Sequence, residues 1–260
     1  MSLFRILCLL LPLALSVGCG DDAPTESESE QVGKYITQEF AQFRTSDGFT
    51  IGGTWFASQD APGRLPVLIL LHMRGANHAL WDPIVPDFVQ EGYRVLALDI
   101  RGHGLSRDQN GVDRPLSRFE DEDKAAMPLD VGGAIGYIKS RPDADSTRIG
   151  VLGVILGANI AYVSSGIYPE IKATVAVSVE SRPTMTVLLG EGIPNFDPHG
   201  VLYLAAFGDG YAYTSSEALA ASTRAPVRVV GYQGSASGVQ VLNKEAARDE
   251  VMAWFREHLR

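Results

Sequence analysis

Any chemistry in this sequence would have to be organised around Gly153-Val154-Ile155-Leu156-Gly157. Two glycines, four apart, follow the apolar run Ile149–Leu152 and precede the helix-compatible run from Ala158. That layout is strand, sharp turn, helix. A serine at the centre of such a turn is held above a sheet as a nucleophile. Here the centre is Ile155, which carries no oxygen or sulfur. Acyl transfer requires a lone pair on an activated atom and a base whose pKa lies near the working pH. No Ser, Cys, Thr, Asp or Glu lies between Gly150 and Ala161, so no shift of register supplies the missing group.

The elements that would position this turn can be read from hydrophobic periodicity. Ile36–Arg44 and Phe49–Phe56 flank the turn signal Ser46-Asp47-Gly48 and read as a hairpin. Val67–Leu71, Tyr93–Asp99, Ala173–Val179, Val201–Ala206 and Val227–Val230 are apolar runs of the length of buried parallel strands. Between them, a helix is expected around Leu80–Gln90. A second begins at the acidic cluster Glu120–Asp123 and continues through Val131, Ile135 and Ile138. A short helix is expected at Ser215–Ser222, and a last one carries Val251, Phe255 and Leu259 on one face. Ser181–Gly200, broken by three prolines, reads as irregular and too short for a lid domain. Alternating strands and helices predict an α/β domain over residues 35–260. Its sheet is mostly parallel and twisted, with about eight strands and helices on both faces. Functional groups in such a sheet collect beyond the carboxyl ends of the strands.

Five stretches in order resemble the α/β-hydrolase fold, in particular lidless esterases and dienelactone-hydrolase-like proteins. Leu70–Gly75 resembles the strand and oxyanion loop, and Gly92–Ser106 the following strand and its Arg-Gly-His-Gly turn. Ile149–Ala161 is similar to the nucleophile elbow, Gly208-Asp209-Gly210 to the loop of the triad acid, and Gly231–Gly238 to the loop of the triad histidine. The resemblance implies Asp209 as the acid, Ile155 in the nucleophile slot and Ser237 in the histidine slot. Two of three catalytic groups are thus replaced. The backbone N–H groups of Leu156 and of Met73 or Arg74 would form the oxyanion hole, and His72, Ile155, Asp209 and Ser237 would face the pocket. Asp209, without a histidine to hold, is expected to be capped by neighbouring N–H groups or by Ser237. The elbow is expected to keep its strained geometry, with Ile155 at positive φ at a cost of about 1–3 kcal/mol.

The other candidates read as structural. His72 and His103 are expected to make hydrogen bonds within their loops, His258 to be solvated near a helix C-terminus, and His199 to sit at the wrong end of its strand. His72, His78 and Asp82 match no tight metal-ligand spacing, so no metal is expected. There is no phosphate loop or dinucleotide fingerprint, and no cofactor is expected.

The amino terminus reads as a leader. Arg5 precedes the apolar run Ile6–Ala14, and residues 1–18 have the pattern of a signal peptide. Leu15-Ser16-Val17-Gly18-Cys19 resembles a bacterial lipoprotein signal, with Ser16 where Leu is more usual and Cys19 as the lipidated residue. Gly20, rather than Asp, resembles lipoproteins delivered to the outer membrane, facing the periplasm. Residues 19–34 are acidic and aperiodic, a tether reaching roughly 20 Å. Loss of the leader removes one Arg and no acid, taking the net charge from −9 to −10, which argues against nucleic acid as a partner. The expected protein is an exported, lipid-anchored pseudo-hydrolase that binds a small apolar ligand or an envelope protein. The rival expectations are an active hydrolase using a water activated by Asp209 or His72, and a purely structural envelope protein.

Overall fold

The computed structural model describes residues 35–180, 184–190 and 192–260. The expected leader, Cys19 and the acidic tether lie outside the described residues. Strands β1 (Ile36–Arg44) and β2 (Phe49–Ser58) form the predicted hairpin, its turn closed by the Phe49 N–H donating to Thr45 Oγ1 at 2.9 Å. β3 (Leu65–Leu71), β4 (Arg94–Leu98), β7 (Ala144–Val154), β8 (Ile171–Val177), β9 (His199–Ala206) and β10 (Arg224–Tyr232) run parallel to one another. The two-residue strands β5 (Asp108–Gln109) and β6 (Val112–Asp113) extend the far edge, giving a ten-stranded sheet where about eight were expected. Spatial order is β10-β9-β8-β7-β3-β4-β2-β5-β6, with β1 on β2. β3 therefore has β4 on one side and β7 on the other. This is the point where strand order reverses and a crevice opens beyond the carboxyl ends.

Seven α-helices occur among the described residues: α1 (Val85–Gln90), α2 (Asp121–Ala125), α3 (Pro128–Ser140), α4 (Leu156–Ile167), α5 (Thr184–Leu189), α6 (Ala212–Ala220) and α7 (Glu245–Leu259). Side chains alternate across the pleat with period two, so β3 feeds two cores. Val67, Ile69 and Leu71 join α3 and α4 on one face, while Leu68 and Leu70 join α1 and α7 on the other. Helices on both faces bear out the doubly covered sheet. No helix among the described residues is long and apolar enough to cross a membrane.

Three expectations are corrected. The helix around Leu80–Gln90 is a 3-10 turn over His78–Trp81, capped by Asn77, followed by the shorter α1. The helix from the acidic cluster is two helices: a reciprocal cap between Glu120 and Asp123 starts α2, and Pro128 occupies the first turn of α3. A proline lacks the N–H to continue the preceding helix but suits the start of the next. The segment read as irregular, Ser181–Gly200, contains α5.

Candidate functional site

Ile155 sits at φ 52°, ψ −107°, between β7 and α4, so the strained elbow geometry is retained. Hydrogen bonds fix it from both sides: its N–H donates to the Val177 carbonyl at 2.9 Å and its carbonyl accepts from the Asn159 N–H at 3.1 Å. The glycines make the turn sterically feasible. A Cβ on Gly153 would collide with the Gly157 carbonyl, and one on Gly157 with the Leu71 carbonyl of the neighbouring strand. Leu156 is the first residue of α4, and its N–H has no partner within the helix. The positive end of a 12-residue helix thus opens onto the crevice.

The structure brings Ile155, Asp209 and Ser237 together around one cavity of about 200 Å³. The Ile155 side chain extends toward Gly238: a Cβ there would lie 2.9 Å from Ile155 Cδ1 and 3.1 Å from Cγ1. It therefore packs against the residue that follows the histidine slot. Ser237 precedes a 3-10 turn over Gly238–Asn243 and makes no side-chain cap to it. Asp209 is not capped as expected. Its Oδ2 is buried and meets no donor among the described residues.

The remaining walls come from residues that strand-end reasoning alone could have flagged. Ser178 and Glu180 follow β8, and Tyr211 follows β9. Ser178 is itself at φ 56°, and its Oγ accepts the Gly238 N–H at 2.9 Å, tying the Ser237 loop to the end of β8. That conformation carries no sequence signature at a serine.

A second groove of about 310 Å³ lies on the other side of the elbow. Met127, Leu156, Val187 and Leu188 line it, with Arg74, Asp121, Lys124 and Thr184 also at its wall. The more apolar surface therefore lies beside Leu156, and carboxylates and hydroxyls line the Ile155 side. Of the expected oxyanion-loop residues, Arg74 lines this groove, and Met73 places its sulfur beside Gly238.

His72 does not face either cavity. It is fully buried, its Nε2 accepting the Ile100 N–H at 3.0 Å, which leaves the proton on Nδ1 to donate to the Met73 carbonyl at 2.7 Å. Burial lowers its pKa to about 4, so it is neutral and positions the β3 loop against β4. Its ring meets that of His103 edge to face at 4.9 Å. His103 lies within hydrogen-bonding distance of the Ile100 and Arg101 carbonyls, as the structural reading predicts. His78 donates its backbone N–H to Asp99 and approaches the same carboxylate through Nδ1 at 2.8 Å. His199 opens β9, and His258 lies against Trp254 with ring centroids 4.1 Å apart, half-buried rather than fully solvated. Among the described residues no three His, Cys, Asp or Glu side chains gather in a metal-holding arrangement.

Comparison with known proteins places this geometry. The family model described as "Dienelactone hydrolase family" matches residues 51–184. Curated relatives include a thiohydrolase, apmlB, of Arthrinium phaeospermum, 28% identical over 147 residues, covering 54% of this chain and 42% of the relative. The polyketide transferase ATR5 of Stachybotrys chlorohalonatus is 23% identical over 184 residues, covering 67% of this chain and 58% of its own. The chain thus spans about half the length of the curated relatives it matches. Among solved structures, a dienelactone hydrolase from Anabaena variabilis superposes with a TM-score of 0.67 at 16% identity, over 87% of this chain and 100% of that one. An acetyl xylan esterase from Paenibacillus sp. R4 gives 0.66 at 19% identity, over 87% and 85%. At these identities the structural likenesses speak for the fold. The family match covers just over half of the chain, running from β2 through the elbow to the first residue of α5, and by it the chain belongs to the dienelactone hydrolase family.

Proposed function

We propose that this chain is a non-hydrolytic member of its family, exported and held at a membrane by a lipid on Cys19, that uses the crevice around the elbow to bind a ligand or partner. The observation that carries this is Ile155 at φ 52°, in the nucleophile position with a hydrocarbon side chain packed toward Gly238. With no nucleophile and no base at Ser237, only the backbone donors of the elbow and the β3 loop are left to stabilise an oxyanion. Serine proteases stripped of their triad keep a residual acceleration of about 10³–10⁴, against millions for the intact set. Two of the relatives are named a thiohydrolase and a polyketide transferase. The groove beside Leu156 supports a ligand with an apolar body, with Arg74 close by for a polar end, while Lys124 is paired with Asp121 at 2.8 Å.

The rival reading, a water activated by His72 or Asp209, loses one of its candidates on geometry. Both His72 nitrogens are occupied and the residue is out of reach of solvent. Asp209 is left to test.

The deciding experiment is fluorophosphonate labelling and short-chain ester turnover by the protein and by Ile155→Ser/Ser237→His. The expected result is no labelling and no turnover for the protein, with both gained by the double variant. Labelling of the unaltered protein, or ester turnover abolished by Asp209→Asn, overturns the proposal. Release of the protein from the membrane fraction by Cys19→Ala is the outcome expected of the lipid anchor.

A further inference from the structure

Three strands border the sheet: β1, β6 and β10. β6 is two residues long, and β10 contains Pro226 and loses its register with β9 between Arg224 and Val227. Short strands, prolines and bulges are the devices that keep an edge from pairing with another chain. β1 has none of them. Its nine residues pair with β2 without a register break and include no Pro and no Lys. Among the described residues nothing pairs with its outer side.

The bonds to β2 determine which groups are left free. The Gln59 N–H donates to the Tyr35 carbonyl at 2.8 Å and the Thr45 N–H to the Phe49 carbonyl at 2.9 Å, so the odd-numbered residues bond to β2. Alternation in an antiparallel pair then turns the N–H and C=O of Ile36, Gln38, Phe40, Gln42 and Arg44 outward. Phe40 stands at the centre of this row with its side chain 58% exposed. The two charges on the strand are already engaged: Glu39 accepts from Arg141 at 2.8 Å, and Arg44 donates to Asn110 Oδ1 at 2.8 Å.

We infer that β1 pairs antiparallel with β1 of a second copy of this chain, about a two-fold axis at Phe40. That register sets Phe40 against its own counterpart, Gln38 against Gln42 and Ile36 against Arg44, and it satisfies the outward groups with about ten hydrogen bonds. The two Phe40 rings become cross-strand neighbours on one face, with Cα atoms roughly 5.5 Å apart. Glu39 falls opposite Ala41, so no like charges stand directly across from each other. The chain's own segment before β1 is a poor competitor for the edge. Residues 21–30 hold five acids and a proline, types depleted in strands, and the segment would have to reverse direction at Tyr35 to lie along β1.

Sedimentation equilibrium of the full chain in a density-matched neutral detergent tests this. A monomer–dimer equilibrium in the micromolar range is expected. Gln42→Pro deletes an outward N–H that β2 does not use, and is expected to weaken the dimer at least about tenfold. Phe40→Lys alters one exposed side chain and no backbone group. It is expected to weaken the dimer likewise, and it keeps the test decisive where Gln42→Pro does not fold. The register is read by mild oxidation in a Cys8→Ser/Cys19→Ser background. A mixture of Gln38→Cys and Gln42→Cys chains is expected to form a disulfide-linked dimer. Neither chain is expected to do so alone, because each position then lies about four residues from its counterpart, roughly 14 Å along the strand. A monomer at all concentrations up to about 0.1 mM overturns the inference. So does a dimer that Phe40→Lys leaves undiminished, or cross-linking of either chain alone as readily as the mixture. A protein that dimerises only after deletion of residues 21–30 gives the edge to the chain's own segment, and overturns it too.

Discussion

A β-branched side chain at φ 52° is an expensive choice, and Ile155 shows where the compensation comes from. The conformation costs about 1–3 kcal/mol. Against it stand the hydrogen bonds to Val177 and Asn159 and the half-buried contact with Gly238. Ile155→Ser trades the packing for relief of the β-branch, two opposing terms of similar size. Its unfolding free energy, by urea titration, is expected within about 1 kcal/mol of the parent. A loss of several kcal/mol would mean that the side chain, rather than the backbone frame, holds the elbow. At this scale the sequence was informative about identities and silent about directions. The order of Ile155, Asp209 and Ser237 and the two glycines around the turn pointed to three positions that the fold brings to one cavity. That Asp209 would have an oxygen with no partner among the described residues, and Ser178 be drawn into positive φ to hold Gly238, depends on contacts between loops far apart in the chain.

At the scale of elements, the crossing of α4 over β3 is what makes an elbow possible. α4 is buried along almost its whole length, and its first turn lies directly on the end of β3. The Gly157 Cα approaches the Leu71 and His72 carbonyls so closely that any Cβ overlaps them. Gly157→Ala must therefore push α4 off the sheet. It is expected to lower stability by roughly 3 kcal/mol or more, read as a fall in denaturant midpoint, and to open the cavity at Ile155 as well. Gly136→Ala in α3, where a Cβ meets nothing within 4 Å, is the control and should be neutral or mildly stabilising. Parallel strands announce themselves because burial on both faces makes them continuously apolar, which is why β3, β4, β8 and β9 could be read directly. The helices were harder. A period of 3.6 continues across Pro128, so Val131, Ile135 and Ile138 seemed to belong to the helix begun at Glu120. In α5, Met185 and Leu188 are buried, but the segment is too short for a period to stand out among the prolines around it.

At the scale of the whole molecule, buried polar residues tie together the loops at the crevice end of the sheet. Arg101 is buried and bridges Asp130 of α3 and Asp47 of the β1–β2 turn, each at 2.7 Å, with its guanidinium over the Phe49 ring. Beside it, His72 joins the loop after β3 to the loop after β4. This second device makes stability depend on pH with a definite sign. The folded-state pKa of His72, near 4, lies below the 6.5 of an unperturbed histidine. Between those values the unfolded chain takes up a proton that the folded chain refuses. The stabilisation is therefore complete above pH 6.5, declines as pH falls through the window, and is gone below 4. His103, also lowered by burial, acts in the same direction. For His72 alone the loss between pH 7.5 and 4.5 is on the order of 2–3 kcal/mol. His72→Gln should be less stable than the parent at pH 7.5, having lost a shaped acceptor for the Ile100 N–H. It should also lose less on acidification, by roughly 2–3 kcal/mol, because the common carboxylates cancel in the comparison. Urea titrations of both proteins at the two pH values measure the difference directly. Parallel pH profiles would show that His72 is protonated in the folded chain, and that the frame around the elbow is held without a neutral imidazole.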